Sequence, residues 1–177
     1  MDFIDFVKSY NKTTNAPVDT TRIDRSKLTG ALVANHVIAF KLQIKDLAVL
    51  EISDELSRGA HPNFNVNFLN WDIKTDKAIT ADDIFIGNYK APLTAIAEKI
   101  FRKKRGIQKR AKLSGYNFEN DIFALNNNFY ITSKGITYLY NRYEITAYSE
   151  GEIELVIPYQ LIKNLLRPNT VVSQFIK

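Results

Sequence analysis

Cysteine is absent from the 177 residues, which excludes disulfides, zinc–thiolate sites and cysteine nucleophiles. Histidine is scarce: His36 and His61 are the only two, and without a partner at ligand spacing they do not make a metal site. No serine elbow, phosphate-cradling loop or dinucleotide fingerprint occurs, so nucleophilic and nucleotide chemistry have no support and no cofactor is expected. No apolar run approaches the roughly 18 residues that a membrane-spanning helix needs. The start, Met1-Asp2-Phe3-Ile4-Asp5, lacks the positive charge and long apolar run of a signal peptide. A cytoplasmic protein would begin this way, and so would a protein whose leader has been removed. There is no internal repeat and no low-complexity tract.

What remains is an ordinary globular composition. Hydrophobic residues make up 45% of the chain, enough to argue against disorder and to build one core at this length. The net charge is +5, and its placement says more than its size. Lys99, Arg102, Lys103, Lys104, Arg105, Lys109, Arg110 and Lys112 fall together with no acid among them. Glu144, Glu150, Glu152 and Glu154 fall together with no base. The surface is therefore expected to be dipolar.

The apolar periodicities divide the chain. Phe3, Phe6, Val7 and Tyr10 have helical spacing, so 1–10 reads as a short amphipathic helix, and the polar stretch 11–30 reads as a linker. The main domain is then 31–177. From Val33 to Ile44 the chain alternates, with Ala34, His36, Ile38, Phe40, Leu42 and Ile44 on one face; Leu47 to Leu56 alternates again. The next strand changes parity, from Phe64, Val66 and Phe68 to Leu69, Trp71 and Ile73. Such a slip needs a bulge or a move between two buried surfaces, and a bulge is expected near Phe68-Leu69. Leu93, Ile96, Ala97, Ile100 and Phe101 form the clearest helical stripe, over Pro92 to Arg105, with Gly106 as its C-terminal stop. Three short strands follow at 128–132, 136–141 and 152–157, the first two joined by a Ser133-Lys134-Gly135 hairpin turn. A short helix over Gln160 to Leu166 ends the pattern. Strands in runs with segregated helices predict an α+β domain: an antiparallel sheet covered on one face by the central helix.

Two stretches carry a resemblance. The first is Gly59-Ala60-His61-Pro62, then Phe64-Asn65-Val66-Asn67-Phe68-Leu69-Asn70-Trp71-Asp72, then Lys74 through Phe85. The second is Phe129-Tyr130-Ile131-Thr132 with Gly135-Ile136, Tyr143-Glu144-Ile145, Tyr148, Gly151 and Ile157-Pro158-Tyr159. In this order they resemble the RsiV-like domain family, the extracytoplasmic module of a lysozyme-sensing anti-sigma factor that also sits beside catalytic domains in some peptidoglycan deacetylases. The resemblance covers about Ser53 to Leu166. It departs at Arg58, where the family usually has a second glycine, and at the start, where members carry a further N-terminal portion of which 1–30 would be the remnant. It implies an extracytoplasmic place, in the periplasm or at the cell surface, and a ligand in the cell envelope.

Candidate site residues follow from both readings. His61 in the Gly59–Pro62 turn is a ligand-facing candidate, weighed against a histidine that pins its own turn by hydrogen bonds to backbone, the preferred reading. His36, on an apolar strand face, reads as a satisfied core histidine. Asp82 and Asp83 follow Thr80 and read as first-turn acids of a helix before they read as a carboxylate pair for glycoside cleavage. Arg102, Lys103, Lys104, Arg105, Lys109 and Arg110 are candidates for an anionic partner such as membrane headgroups or a wall polymer. Nucleic acid ranks last, because this run lacks interleaved aromatics; for the four cations that close the helix, a solvated face is the default. Tyrosines concentrate in the last third, and Tyr143, Glu144 and Tyr148, in an irregular connection, are the best candidates for an exposed binding surface. Glu152 and Glu154 join them as the face that a basic protein such as a lysozyme would require. The expectation is a monomeric, non-enzymatic recognition domain for an envelope protein or glycan. An accessory or catalytic domain acting on peptidoglycan and a lysozyme-binding or inhibitor-type module are the alternatives.

Overall fold

The structure is a computed structural model that describes residues 33–57 and 62–176. The expected 1–10 helix, the 11–30 linker and the His61 turn lie outside the described residues. The fold is α+β. Strands β1 (Val33–Ile44), β2 (Leu47–Ser57), β3 (Asn63–Asp72) and β4 (Lys77–Ala78) make one antiparallel sheet in sequence order. Strands β5 (Phe129–Ile131), β6 (Gly135–Tyr140) and β7 (Ile153–Pro158) make a second. Among the described residues two sheets thus stand where the periodicity suggested one. Three α-helices accompany them among the described residues: α1 (Ala81–Ile84), α2 (Lys90–Lys104) and α3 (Tyr159–Ile162). Among the described residues no helix is long and apolar enough to cross a membrane.

The expected bulge at Phe68-Leu69 is absent, for β3 pairs with β2 in unbroken register from Leu47↔Asp72 to Leu56↔Asn63. The parity change has the other cause: the strand is covered on both faces. Phe68 packs on the common core while Trp71, of opposite parity, is itself buried. Strand β2 shows the same, with Leu47 and Val49 in that core and Ala48, Leu50 and Ile52 buried on the other face. Ile73 falls in the turn after β3 and is exposed. The sheet's bulge lies instead in β1, where Phe40 pairs with Leu50 but Leu42 with Val49. Lys41 is the extra residue, so Leu42 and Ile44 face opposite to His36, Ile38 and Phe40, a correction to the single apolar face read from alternation. His36 Nδ1 lies 2.6 Å from Asp54 Oδ1 on the neighbouring strand.

Helix α2 starts two residues before Pro92, which occupies a first-turn position where no backbone donor is needed. Leu93, Ala97 and Phe101 are its buried stripe, with Ile96 and Ile100 partly buried beside them. At its end Gly106 adopts φ +67°; its N–H donates to the Lys103 carbonyl at 3.3 Å and that of Ile107 to the Arg102 carbonyl at 2.8 Å. This is a Schellman close, open to glycine because the left-handed turn penalises a Cβ. The helix packs on β7, whose Ile153, Leu155 and Ile157 point inward while Glu154 and Val156 point out. Gly135 is required for a different reason: a Cβ there would lie 2.2 Å from the Ile157 carbonyl oxygen across the β6–β7 ladder.

Tyr130, Tyr138, Tyr140 and Tyr159 are all buried. Burial pushes each phenol above its ordinary pKa, and for Tyr130, which also donates to Glu154, up to about 12. A pKa raised by folding contributes stability that is whole below the unfolded value near 10 and lost as pH rises toward the folded value. Chemical denaturation across pH 9 to 12 should therefore show stability falling above about pH 10, by up to ~1.4 kcal/mol per pH unit for each such tyrosine. A flat profile to pH 11.5 would mean that these phenols are not buried.

Candidate functional site

The two sheets meet at the outer edge of β3. Beyond the two-residue β4 this edge has no strand partner among the described residues, and unpaired backbone groups must find substitutes. Side-chain amides supply them. The Val66 N–H donates to Asn141 Oδ1 at 2.7 Å, and the Val66 carbonyl accepts from Asn128 Nδ2 at 2.7 Å and Asn141 Nδ2 at 3.1 Å. The Phe68 N–H donates to Asn128 Oδ1 at 3.2 Å. In the other direction Asn70, on β3 and 3% exposed, donates to the Phe129 carbonyl at 2.9 Å and accepts from the Ile131 N–H at 2.8 Å. Each amide reproduces the donor–acceptor pair of a missing strand residue.

This seam forms a groove of about 380 Å³ lined mostly by amides, those of Asn65, Asn67, Asn126 to Asn128 and Asn141, together with Phe68 and Glu144. Glu144 is a structural member: it accepts from the Asn141 N–H at 2.7 Å and from Asn126 Nδ2 at 2.7 Å. Asn65, Asn67 and Asn127, in contrast, make no side-chain hydrogen bond to any described residue. The sequence carries a trace of this in Asn63, Asn65 and Asn67, since asparagine is depleted in strands and an all-amide polar face is an unusual choice. Sequence reasoning missed the groove because its other wall comes from a stretch without periodicity.

Next to the groove, Arg142 is held between two rings, with its guanidinium carbon 5.6 Å from the Phe64 centroid and 5.0 Å from that of Tyr148. Its Nη1 donates to the Tyr148 hydroxyl at 3.0 Å, and its Nε lies 3.7 Å from Glu152. Tyr143 packs against Tyr148 with ring centroids 5.3 Å apart and planes tilted by 37°, and is 54% exposed. It adopts φ +65°, a left-handed conformation that costs a bulky residue of the order of 1 kcal/mol and is held by its surroundings. Of the candidates read from sequence, Tyr143, Glu144, Tyr148 and Glu152 thus come together, and Glu154 stands apart, accepting from the Tyr130 hydroxyl at 2.8 Å.

The basic run divides by role. Arg102 pairs with Glu98 at 2.8 Å and donates to the carbonyls of Gln108 and Ala111, and Lys104 donates to the Glu154 carbonyl at 2.6 Å. Arg105 donates to the Tyr116 hydroxyl at 2.8 Å and pairs with Glu150, and these contacts hold its guanidinium still more firmly protonated. Arg102 and Arg105 thus bind the segment after α2 to the domain, and Lys104 ties the end of α2 to β7. Lys103, Lys109 and Arg110 are exposed. Asp83 closes a capping box on α1, accepting from the Thr80 N–H at 2.7 Å and hydroxyl at 2.6 Å. Those hydrogen bonds hold its carboxyl below the ordinary range. Among the described residues no cluster of three or more metal-ligating side chains occurs.

Residues 82–160 match the family model described as "Protein of unknown function (DUF3298)", a span inside the Ser53–Leu166 stretch of the resemblance. Among solved structures the chain is similar to a DUF3298-family member from Bacteroides fragilis, with 26% identity, a TM-score of 0.72, and coverage of 99% of this chain and 74% of that one. It is also similar to a DUF3298 family protein from Pseudomonas aeruginosa, with 18% identity, a TM-score of 0.68, and coverage of 92% of this chain and 77% of that one. Among curated proteins no sequence matches this chain.

Proposed function

We propose that this chain is a non-enzymatic, extracytoplasmic recognition domain of the RsiV-like kind, and that its ligand is a glycan of the cell envelope held in the amide groove. The observation that carries the reading is the set of unpaired amides of Asn65, Asn67 and Asn127 lining one groove, which also takes in Asn141 and Glu144, the chain neighbours of the exposed Tyr143. An amide offers both donor and acceptor to a sugar hydroxyl, and an aromatic face covers the apolar side of a pyranose at low entropy cost. The left-handed backbone at Tyr143 maintains an exposed ring at a cost in strain, as a binding platform would.

A basic protein partner is the less favoured occupant. Glu144, Glu150 and Glu154 already accept hydrogen bonds or ion pairs from within the domain, and Glu152 lies near Arg142. If a lysozyme were the ligand, reversing the charge of Glu152 and Glu154 would weaken the complex and flatten its salt dependence.

Co-sedimentation with insoluble peptidoglycan sacculi tests the glycan reading. The wild-type protein should be retained without releasing acetate or reducing sugar, and Tyr143→Ala should weaken retention by about three- to tenfold. Product release in proportion to enzyme and time, or retention indifferent to Tyr143, overturns the proposal.

A further inference from the structure

Beyond Asn126 and Asn127 the groove opens into a cleft of about 510 Å³ between α1, the first turns of α2 and the 125–129 segment. Its lining is mixed, with apolar Ile79, Leu93, Leu125 and Phe129 beside polar Thr80, Asp82, Tyr89 and Thr94, and Tyr138 joins it. Tyr138 is 3% exposed, packs its ring on Phe129 at 5.7 Å, and lines the cleft. Its hydroxyl makes no hydrogen bond to any described residue. Tyr140 and Tyr159 behave differently: each buried hydroxyl donates to a backbone carbonyl, Ala124 and Thr132 respectively, at 2.7 Å. With no protein partner the Tyr138 hydroxyl is nevertheless not fully enclosed: it retains accessible surface, and the cleft that Tyr138 lines is where an acceptor can reach it. Burial keeps the phenol protonated well above its ordinary pKa, so it remains a donor throughout the physiological range.

These features define the complement. It needs a small apolar group to cover Leu93 and Phe129, an acceptor oxygen at the depth of the Tyr138 hydroxyl, and a polar body that continues over Asn126 and Asn127 into the groove. A carboxylic acyl group attached to a sugar has all three. A free fatty chain lacks the polar body, and an unsubstituted sugar leaves both the apolar lining and the phenol uncovered.

We propose that the cleft is an acyl subsite, in which the acyl substituent of an acylated sugar lies on Leu93 and Phe129 and its carbonyl oxygen accepts a hydrogen bond from Tyr138. This rests on the glycan reading above. Two neutral probes that share a β-1,4 backbone and differ in the acylamino group, tetra-N-acetylchitotetraose and cellotetraose, separate the two claims by calorimetry on the full chain. The acetylated oligomer should bind more tightly, and Tyr138→Phe should reduce its affinity about five- to tenfold while leaving cellotetraose binding and the melting temperature unlowered. Asn127→Ala, in the shared rim, should weaken both oligomers alike. Equal binding of the two oligomers, or a preference unchanged in Tyr138→Phe, overturns the acyl subsite and leaves the glycan reading standing. Binding of neither overturns both.

Discussion

Replacing Phe101 by alanine is expected to destabilise the domain by about 3–5 kcal/mol, the range for removing a fully buried aromatic ring. Phe101 is 0% exposed. Its ring meets Tyr116 at 4.9 Å and Phe118 at 5.7 Å edge to face, and Phe123 at 5.3 Å. The loss would not be confined to α2. Those three rings belong to the irregular segment between α2 and β5, which has no strand or α-helix of its own to hold it. Amide exchange in that segment should accelerate along with the fall in the urea midpoint. Lys103→Ala, on the exposed side of the same helix, should change stability by less than ~0.5 kcal/mol. Equal, small effects at both positions would show that the helix does not cover the core through Phe101.

Asn70→Leu is expected to cost about 2–6 kcal/mol, although it keeps the number and branching of side-chain heavy atoms and adds apolar surface. The reason is the seam. The leucine would leave the Phe129 carbonyl and the Ile131 N–H without their partners, both in buried surroundings and each at a desolvation cost of about 1–3 kcal/mol. Asn65→Leu on the same strand, where the amide is exposed and unpaired, should cost little. A urea titration of the two variants makes the comparison. If Asn70→Leu proves neutral, the sheets are held by their cores alone and the amide seam is incidental.

The elements with strict periodicity were legible without a structure, because apolar spacing reports the geometry of one backbone segment against one surface. The Leu93–Phe101 stripe, the Ile153, Leu155 and Ile157 alternation and the Ser133-Lys134-Gly135 turn all depend on neighbours a few residues away, and the structure has them where the pattern puts them, save that Gly135 already opens β6. The capping of α1 by Thr80 and Asp83 was readable for the same reason. Parity alone was ambiguous at Phe68-Leu69, since a strand buried on both faces and a bulged strand leave the same trace, and only the register with β2 separates them. The long-range features lay beyond any local reading. Asn128 and Asn141 are 60 or more residues distant from the β3 groups they complete, and two cations of the basic run proved to fasten a loop while a third ties α2 to β7. Local spacing determined the helices, strands and turns of this protein. Which asparagines became backbone substitutes, and which remained open to a ligand, was decided only when the two sheets were brought edge to edge, because an amide's role is set by the groups that reach it across the fold.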